Sequence, residues 1–169
     1  MSENNDLPRW DMTNVFPSLD SEAFAAANEN FKQQVNDLEK YLQENSIHPD
    51  AELTVTDPAK LAEIIKGFID QANAAIELGG TIQSYIYAFI STDSFNQQAA
   101  KAMSVLQPVM VKAQQLGDVL FKGWLAKLAW EIDTVIAQDE VLKEHSFYLK
   151  ETIEPVSYTH LTLPTKRIV

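Results

Sequence analysis

Apolar residues recur along this chain at intervals of three and four, the spacing that lines one face of an α-helix. After Ser21 they fall at Phe24, Ala27, Phe31, Val35, Leu38 and Leu42. Asn28, Lys32, Asn36 and Lys40 lie mainly off that stripe, so a helix is expected through about Glu44. Asp20 and Ser21 offer oxygens that can cap its first amides, and Glu22 suits the positive end of its dipole. Residues 45–55 read as a loop punctuated by Asn45, Pro49 and Asp50.

Thr56-Asp57-Pro58 restarts a helix, with Asp57 as cap and Pro58 at the first helical position. Its buried stripe is expected at Leu61, Ile64, Ile65, Phe68, Ala72, Ala75 and Ile76. Gly79-Gly80 either ends this helix or lets another pass close to it. Helical spacing resumes with Ile82, Tyr85, Ile86 and Phe89, so one helix with a weak point is also open. Asp93 and Ser94 read as the next N-terminus, of a helix running to about Ala129. Its face carries Ala99, Met103, Leu106, Met110, Leu116, Leu120, Trp124 and Leu128. Pro108 sits inside it, and a kink is expected there rather than a stop, because the periodicity continues. Two shorter helical stretches follow, over about 132–137 and 140–154.

Before the first helix, LPRWDMTNVFPSLDS over residues 7–21 cannot be helical throughout, because Pro8 and Pro17 push Leu7 and Phe16 toward extended backbone. Trp10, Met12, Val15 and Phe16 are too apolar for a free tail, so this segment is expected to lie against the helices. No long segment alternates with period two. The first helix allows a heptad reading for only about three heptads, without orderly flanking charge pairs, which disfavours a coiled coil. The fold class is therefore all-α, an antiparallel array of long amphipathic helices. It divides into an extended lead-in over 1–20, a helical domain over 21–154 and an irregular tail over 155–169.

With 169 residues the chain can bury a core without disulfides, and it has no cysteine, which suits a reducing compartment. The formal charge is −11, but residues 1–154 hold 11 basic and 24 acidic residues, a net of −13. That balance disfavours nucleic acid and anionic membrane as partners, since phosphate neutralisation needs clustered Lys and Arg. The start has no basic segment followed by an apolar one, and no stretch approaches the length of a membrane span. The expected setting is cytoplasmic.

The tail VSYTHLTLPTKRIV, from Val156 to Val169, is unlike everything before it: no acid, three threonines, a proline and a basic finish. Converted back into codons, Val156–Thr165 matches a nucleotide string that resembles the adapter end of transposase-based sequencing libraries. Pro155 fits the codon such an adapter would force, and Lys166 to Val169 would be index sequence. The expectation is that native sequence stops around Glu154 and that residues 155–169 are non-native. The competing reading is a genuine β-prone or basic tail.

Candidate chemistry is sparse. His48 lies in a Pro/Asp loop, where a histidine is usually solvated. Glu144-His145 has Val141 four residues before the histidine and Leu149 four after, so the second imidazole of a His-Glu-x-x-His zinc helix is missing. His160 belongs to the tail. Gly79-Gly80 lacks the Gly-Lys-Ser/Thr of a phosphate loop. Tyr85, Tyr87, Trp124 and Trp130 read as packing or groove aromatics, and the carboxylates as solvated helix faces. No catalytic, cofactor-binding or metal-binding residue is assigned.

The lead-in nevertheless has a recognisable form. Pro8-Arg9-Trp10-Asp11, then Thr13, the Phe16-Pro17 step and a helix opening Asp20-Ser21-Glu22, resembles the N-terminus of oligoendopeptidase F. These are zinc metallopeptidases related to thimet oligopeptidase. YIYAFISTDSFNQQA over residues 85–99 resembles the family's aromatic-rich helix end and its Asp-Ser/Thr turn. LKEHSFYLKETIE over 142–154 resembles the late helix that leads toward the catalytic part. The likeness thus covers about residues 7–154 in matching order.

It implies a cytoplasmic endopeptidase that hydrolyses short peptides in a helical channel. Zinc would be held by the two histidines of a His-Glu-x-x-His helix and a downstream Glu, and the motif Glu would activate the metal-bound water. None of those residues occurs in this chain. The expectation is an inactive N-terminal helical fragment whose natural packing partner is the missing catalytic domain. Such a fragment should leave an apolar face exposed, chiefly around Phe147, Tyr148 and Ile153. The alternative is a free-standing acidic helical module that binds a protein partner through an apolar groove.

Overall fold

The computed structural model describes the backbone of residues 11–160 and the side chains of residues 11–153. Within that range every regular element is helical: α1 Glu22–Glu44, α2 Pro58–Thr92, α3 Gln97–Gln115, α4 Lys122–Leu125, α5 Ile132–Ile136, α6 Glu140–Glu144 and α7 Ser146–His160. A π-helical turn, Leu116–Phe121, joins α3 to α4, and a 3-10 turn, Ala126–Leu128, follows α4. The all-α expectation holds. No helix of the described residues is long and apolar enough to cross a membrane.

α1 begins where capping chemistry places it, with Ser21 Oγ accepting from the Phe24 amide at 3.2 Å. Its stripe is buried at Phe24, Phe31, Val35, Leu38 and Leu42. The helix ends on a left-handed residue, Ser46, at φ 53°. The Ser46 amide donates to the Gln43 carbonyl at 3.1 Å and the Ile47 amide to the Leu42 carbonyl at 2.8 Å. These are the two bonds of a Schellman stop, and buried Ile47 and Leu42 supply its apolar contact. A serine side chain is disfavoured at that φ where glycine is not. Ser46→Gly is therefore expected to stabilise the chain by about 0.5–1 kcal/mol, read as a raised urea midpoint with unchanged slope.

α2 is one helix, capped by Asp57 Oδ1, which accepts from the Ala59 amide at 3.2 Å. It runs antiparallel to α1. Tyr41 donates to the Ile64 carbonyl at 3.0 Å near one end, and the Phe24 and Tyr85 rings lie 5.7 Å apart near the other. Midway, Gly79 lies under Phe31, where an added Cβ would come within 2.7 Å of that ring. Of the readings open for the glycine pair, the close approach is the one realised, and only Gly79 serves it. The end of the predicted stripe is corrected: Ile76 is exposed, and the buried face passes through Ala75, Gly79 and Ile82.

α3 starts later than expected. Asn96 is the cap, its Oδ1 accepting from the Ala99 amide at 2.9 Å, whereas Asp93 closes α2 and Phe95 stands 90% exposed. The helix passes Pro108 unbroken, and departure from α geometry comes only at Leu116–Phe121. Leu116, Trp124 and Leu128 stay buried as expected, but the wider turn changes which residues lie between them. Phe121 and Leu125 become buried, while Leu120 is only half-buried. Phe121 then stacks on Phe68 at 3.7 Å with the planes 10° apart. With Gly79 beside the Met110 sulfur, this contact sets α3 antiparallel to α2 and parallel to α1.

The stretch read as one helix over 140–154 is two, broken at His145, which closes α6 at φ −89° and ψ 6°. Asp139 caps α6 by accepting from the Val141 amide at 2.8 Å and ties it to α2 through Lys66 at 3.3 Å. α7 then runs to His160. Residues 155–160 are helical where an irregular tail was expected: α7 continues past Pro155, although a proline inside a helix removes one backbone donor and crowds the carbonyl one turn back. Residues 161–169, with Lys166 and Arg167, lie outside the described residues, as do Leu7, Pro8, Arg9 and Trp10.

The described part of the lead-in, residues 11–20, forms turns where an extended segment was expected. Asp11 Oδ1 accepts from the Thr13 amide at 2.9 Å, and the Val15 amide donates to the Met12 carbonyl at 3.0 Å. It lies against the helices as anticipated, with Phe16 buried and Met12 packed on the core.

Candidate functional site

Among the described residues, those that could carry chemistry do not converge. His48 is exposed, and its Nδ1 accepts from the Asp50 amide at 3.1 Å within its own loop. His145 is half-buried at the α6–α7 junction, with Leu149 fully buried one turn later. Among the described residues no three His, Asp or Glu side chains come together in a way that could hold a metal ion. A recess between the α1–α2 loop and Trp124 is bordered by Asn45, Thr54, Val55 and Ile64 and has a volume of about 10 Å³. That is room for one water, not for a substrate.

The aromatics separate into two groups. Tyr85 and Trp124 are buried, as packing residues should be. Tyr85 donates to the Phe16 carbonyl at 3.0 Å, and burial, with Asp20 nearby, pushes its phenol above the usual range. Tyr87 and Trp130 are corrected: both point to solvent, Trp130 being 75% exposed. Tyr87 follows Ile86 around to the outer face of α2, and Trp130 sits in the turn before α5, beyond the last helical position that could carry it inward.

The most extensive titratable arrangement lies at the π turn. Asp118 pairs with Lys122, and the Tyr148 phenol of α7 adds to the field at the ammonium. The Lys122 hydrogen bond holds the Asp118 carboxyl below its usual range, against the effect of burial. The same bond raises the Lys122 ammonium above its own. Both groups are thereby fixed in their charged forms near neutrality. An acid–base catalyst needs the opposite, a pKa drawn toward working pH. The pair is a structural clasp across the π turn.

Its pH signature follows from the two directions. Asp118's share of stability is present above the unfolded carboxylate pKa and disappears as pH falls through its lowered folded value. Lys122's share is present below the unfolded lysine pKa and disappears as pH rises through its raised one. With side-chain exposures of 32% for Lys122 and 47% for Asp118, solvent screening limits the pair to less than about 1 kcal/mol. Asp118→Asn should thus cost under about 1 kcal/mol at pH 7. The gap to the native chain should close below Asp118's folded pKa, which lies under the ordinary carboxylate range, as urea midpoints across pH will show.

What remains is a surface. Phe147 is 76% exposed and Tyr148 50%, as expected for α7, but Ile153 is 5% exposed and belongs to the core. Residues 149 and 153 share the inward face of α7, leaving 147 and 148 outside it. An ion pair from Lys150 to Asp133, at 2.6 Å, ties α7 to the start of α5, just after Trp130. Comparison with protein families, with characterised proteins and with solved structures finds no match to this chain.

Proposed function

We infer that this chain is the N-terminal helical part of a zinc-dependent oligoendopeptidase of the oligoendopeptidase F type, catalytically empty by itself. The reading is carried by three family-like segments in family order, the Pro-Arg-Trp-Asp lead-in being the most specific. Their described residues lie at the entry to α1, at the α2–α3 junction, and on α6 with α7. The intact protein would be a cytoplasmic enzyme hydrolysing short peptides, with zinc and its ligands on later helices. Among the described residues no grouping fits a zinc ion, so no step of hydrolysis is assigned to them. Their role is to form a wall that limits access to small substrates.

The exposed Phe147 and Tyr148 also favour a second reading, a free-standing acidic helical module that binds a protein partner through this face. Both readings expect the purified chain, supplied with zinc and short fluorogenic peptides, to show no chelator-sensitive hydrolysis. Chelator-sensitive turnover would overturn the claim that the chain is catalytically empty. Both also expect the α7 face to bind a hydrophobic dye, with Phe147→Ser reducing the signal while changing stability by no more than about 0.5 kcal/mol.

A further inference from the structure

We propose that the cleft holding Phe16 is a peptide-binding socket whose ligand class is an aromatic–proline turn, filled in cis by the chain's own lead-in. The Phe16 ring is 8% exposed and meets two rings edge-on, Phe24 at 5.4 Å and Tyr85 at 5.0 Å, both at 79°. Phe89 backs Tyr85 in the same edge-on manner at 5.1 Å. The Tyr85 hydroxyl donates to the Phe16 carbonyl at 3.0 Å, so the socket reads ligand backbone as well as an aromatic side chain. Pro17 keeps Phe16 out of the helical region, and the ligand arrives already shaped as a turn.

The plug is lightly tied. Among the described residues, the Tyr85 bond is the one hydrogen bond from residues 11–20 to anything beyond Ser21. The others are internal, from Thr13 to Asp11, from Val15 and Phe16 to Met12 and from Ser18 to Asp20, or join Ser18 to Ser21 at the start of α1. Met12 and Leu19 are only half-buried, and Val15 is exposed. A segment held by one buried anchor, two half-buried contacts at Met12 and Leu19 and one hydrogen bond opens locally while the α1–α2–α3 core stays intact. Tethering gives the resident plug a high effective concentration, so a free ligand competes only once the tethered anchor is removed.

The test uses the full chain carrying Phe16→Ala and a synthetic peptide of residues 11–21, DMTNVFPSLDS. Titration should raise the melting temperature saturably toward that of the native chain. The peptide with alanine in place of its phenylalanine should have no effect, and adding Tyr85→Phe to the chain should weaken binding about tenfold. No saturable rise at millimolar peptide on the folded variant overturns the proposal. Hydrogen exchange on the native chain gives an independent reading. The Val15 and Phe16 amides should exchange faster than those of Phe31 and Ile65, and exchange only through global unfolding would overturn it equally.

Discussion

Phe121→Ala is expected to destabilise the chain by about 3–5 kcal/mol, the range for deleting a large aromatic from a packed core. Phe121 is 1% exposed, stacks on Phe68 and lies 6.2 Å from the Trp124 ring. Its neighbour Leu120, which simple helical spacing places in the core, is half-buried, and Leu120→Ala should cost markedly less, about 1 kcal/mol. The contrast isolates the π turn. If Leu116–Phe121 were ordinary α-helix, the two positions would exchange burial and the order of effects would reverse. Urea unfolding of both variants, compared at equal slopes, decides between the two geometries.

The second large effect distinguishes two adjacent glycines. A Cβ at Gly79 would sit 2.7 Å from the Phe31 ring and 3.1 Å from the Met110 sulfur. Phe31 is 1% exposed and cannot swing aside, so Gly79→Ala forces α1 and α3 away from α2. Overpacking of this kind costs about 1–3 kcal/mol, more than the helix propensity gained. At Gly80 nothing lies within 4 Å of the added methyl. Gly80→Ala should therefore stabilise by up to about 1 kcal/mol through propensity alone. Opposite signs at neighbouring positions are the expected outcome, and thermal melts of the two single variants measure it.

Much of this fold was legible in periodicity. The α1 stripe, the Ser21 and Asp57 caps, the 45–55 loop and the burial of Phe16 all follow from local chemistry that no tertiary contact overrides. The errors lie where one helix must adapt to another. A π turn cannot be seen in spacing, so Phe121 and Leu125 were missed and Leu120 over-weighted. Continuing the stripe past Ala75 puts Ile76 inward, whereas α2 turns Gly79 to Phe31 instead. Asn96 competed with Asp93 and Ser94 for the cap, and a Leu-Lys-Glu-His run gave no sign of the break at His145. Trp130 was assigned to packing by its chemistry, but the turn before α5 holds it outward.

The functional side was legible in a different way. Residue types exclude a phosphate loop or a His-Glu-x-x-His helix in this chain before any fold is known. The Asp118–Lys122 clasp could be suspected from its i,i+4 spacing, but not its reach to Tyr148. The exposed aromatics of α7 could be anticipated only by supposing that something is missing from their side. Phe16 and its socket gave one signal, an aromatic–proline step in a segment too apolar to be free.

The central claim is that these helices are the opening part of a larger zinc peptidase and that Val156 to Val169 is foreign to it. Sequencing the source locus from intact genomic DNA across the codons after Glu154 tests it most directly. The account predicts an uninterrupted reading frame that departs from VSYTHLTLPTKRIV and continues to a His-Glu-x-x-His helix with a later Glu. A genomic frame that encodes this tail and then stops would contradict it.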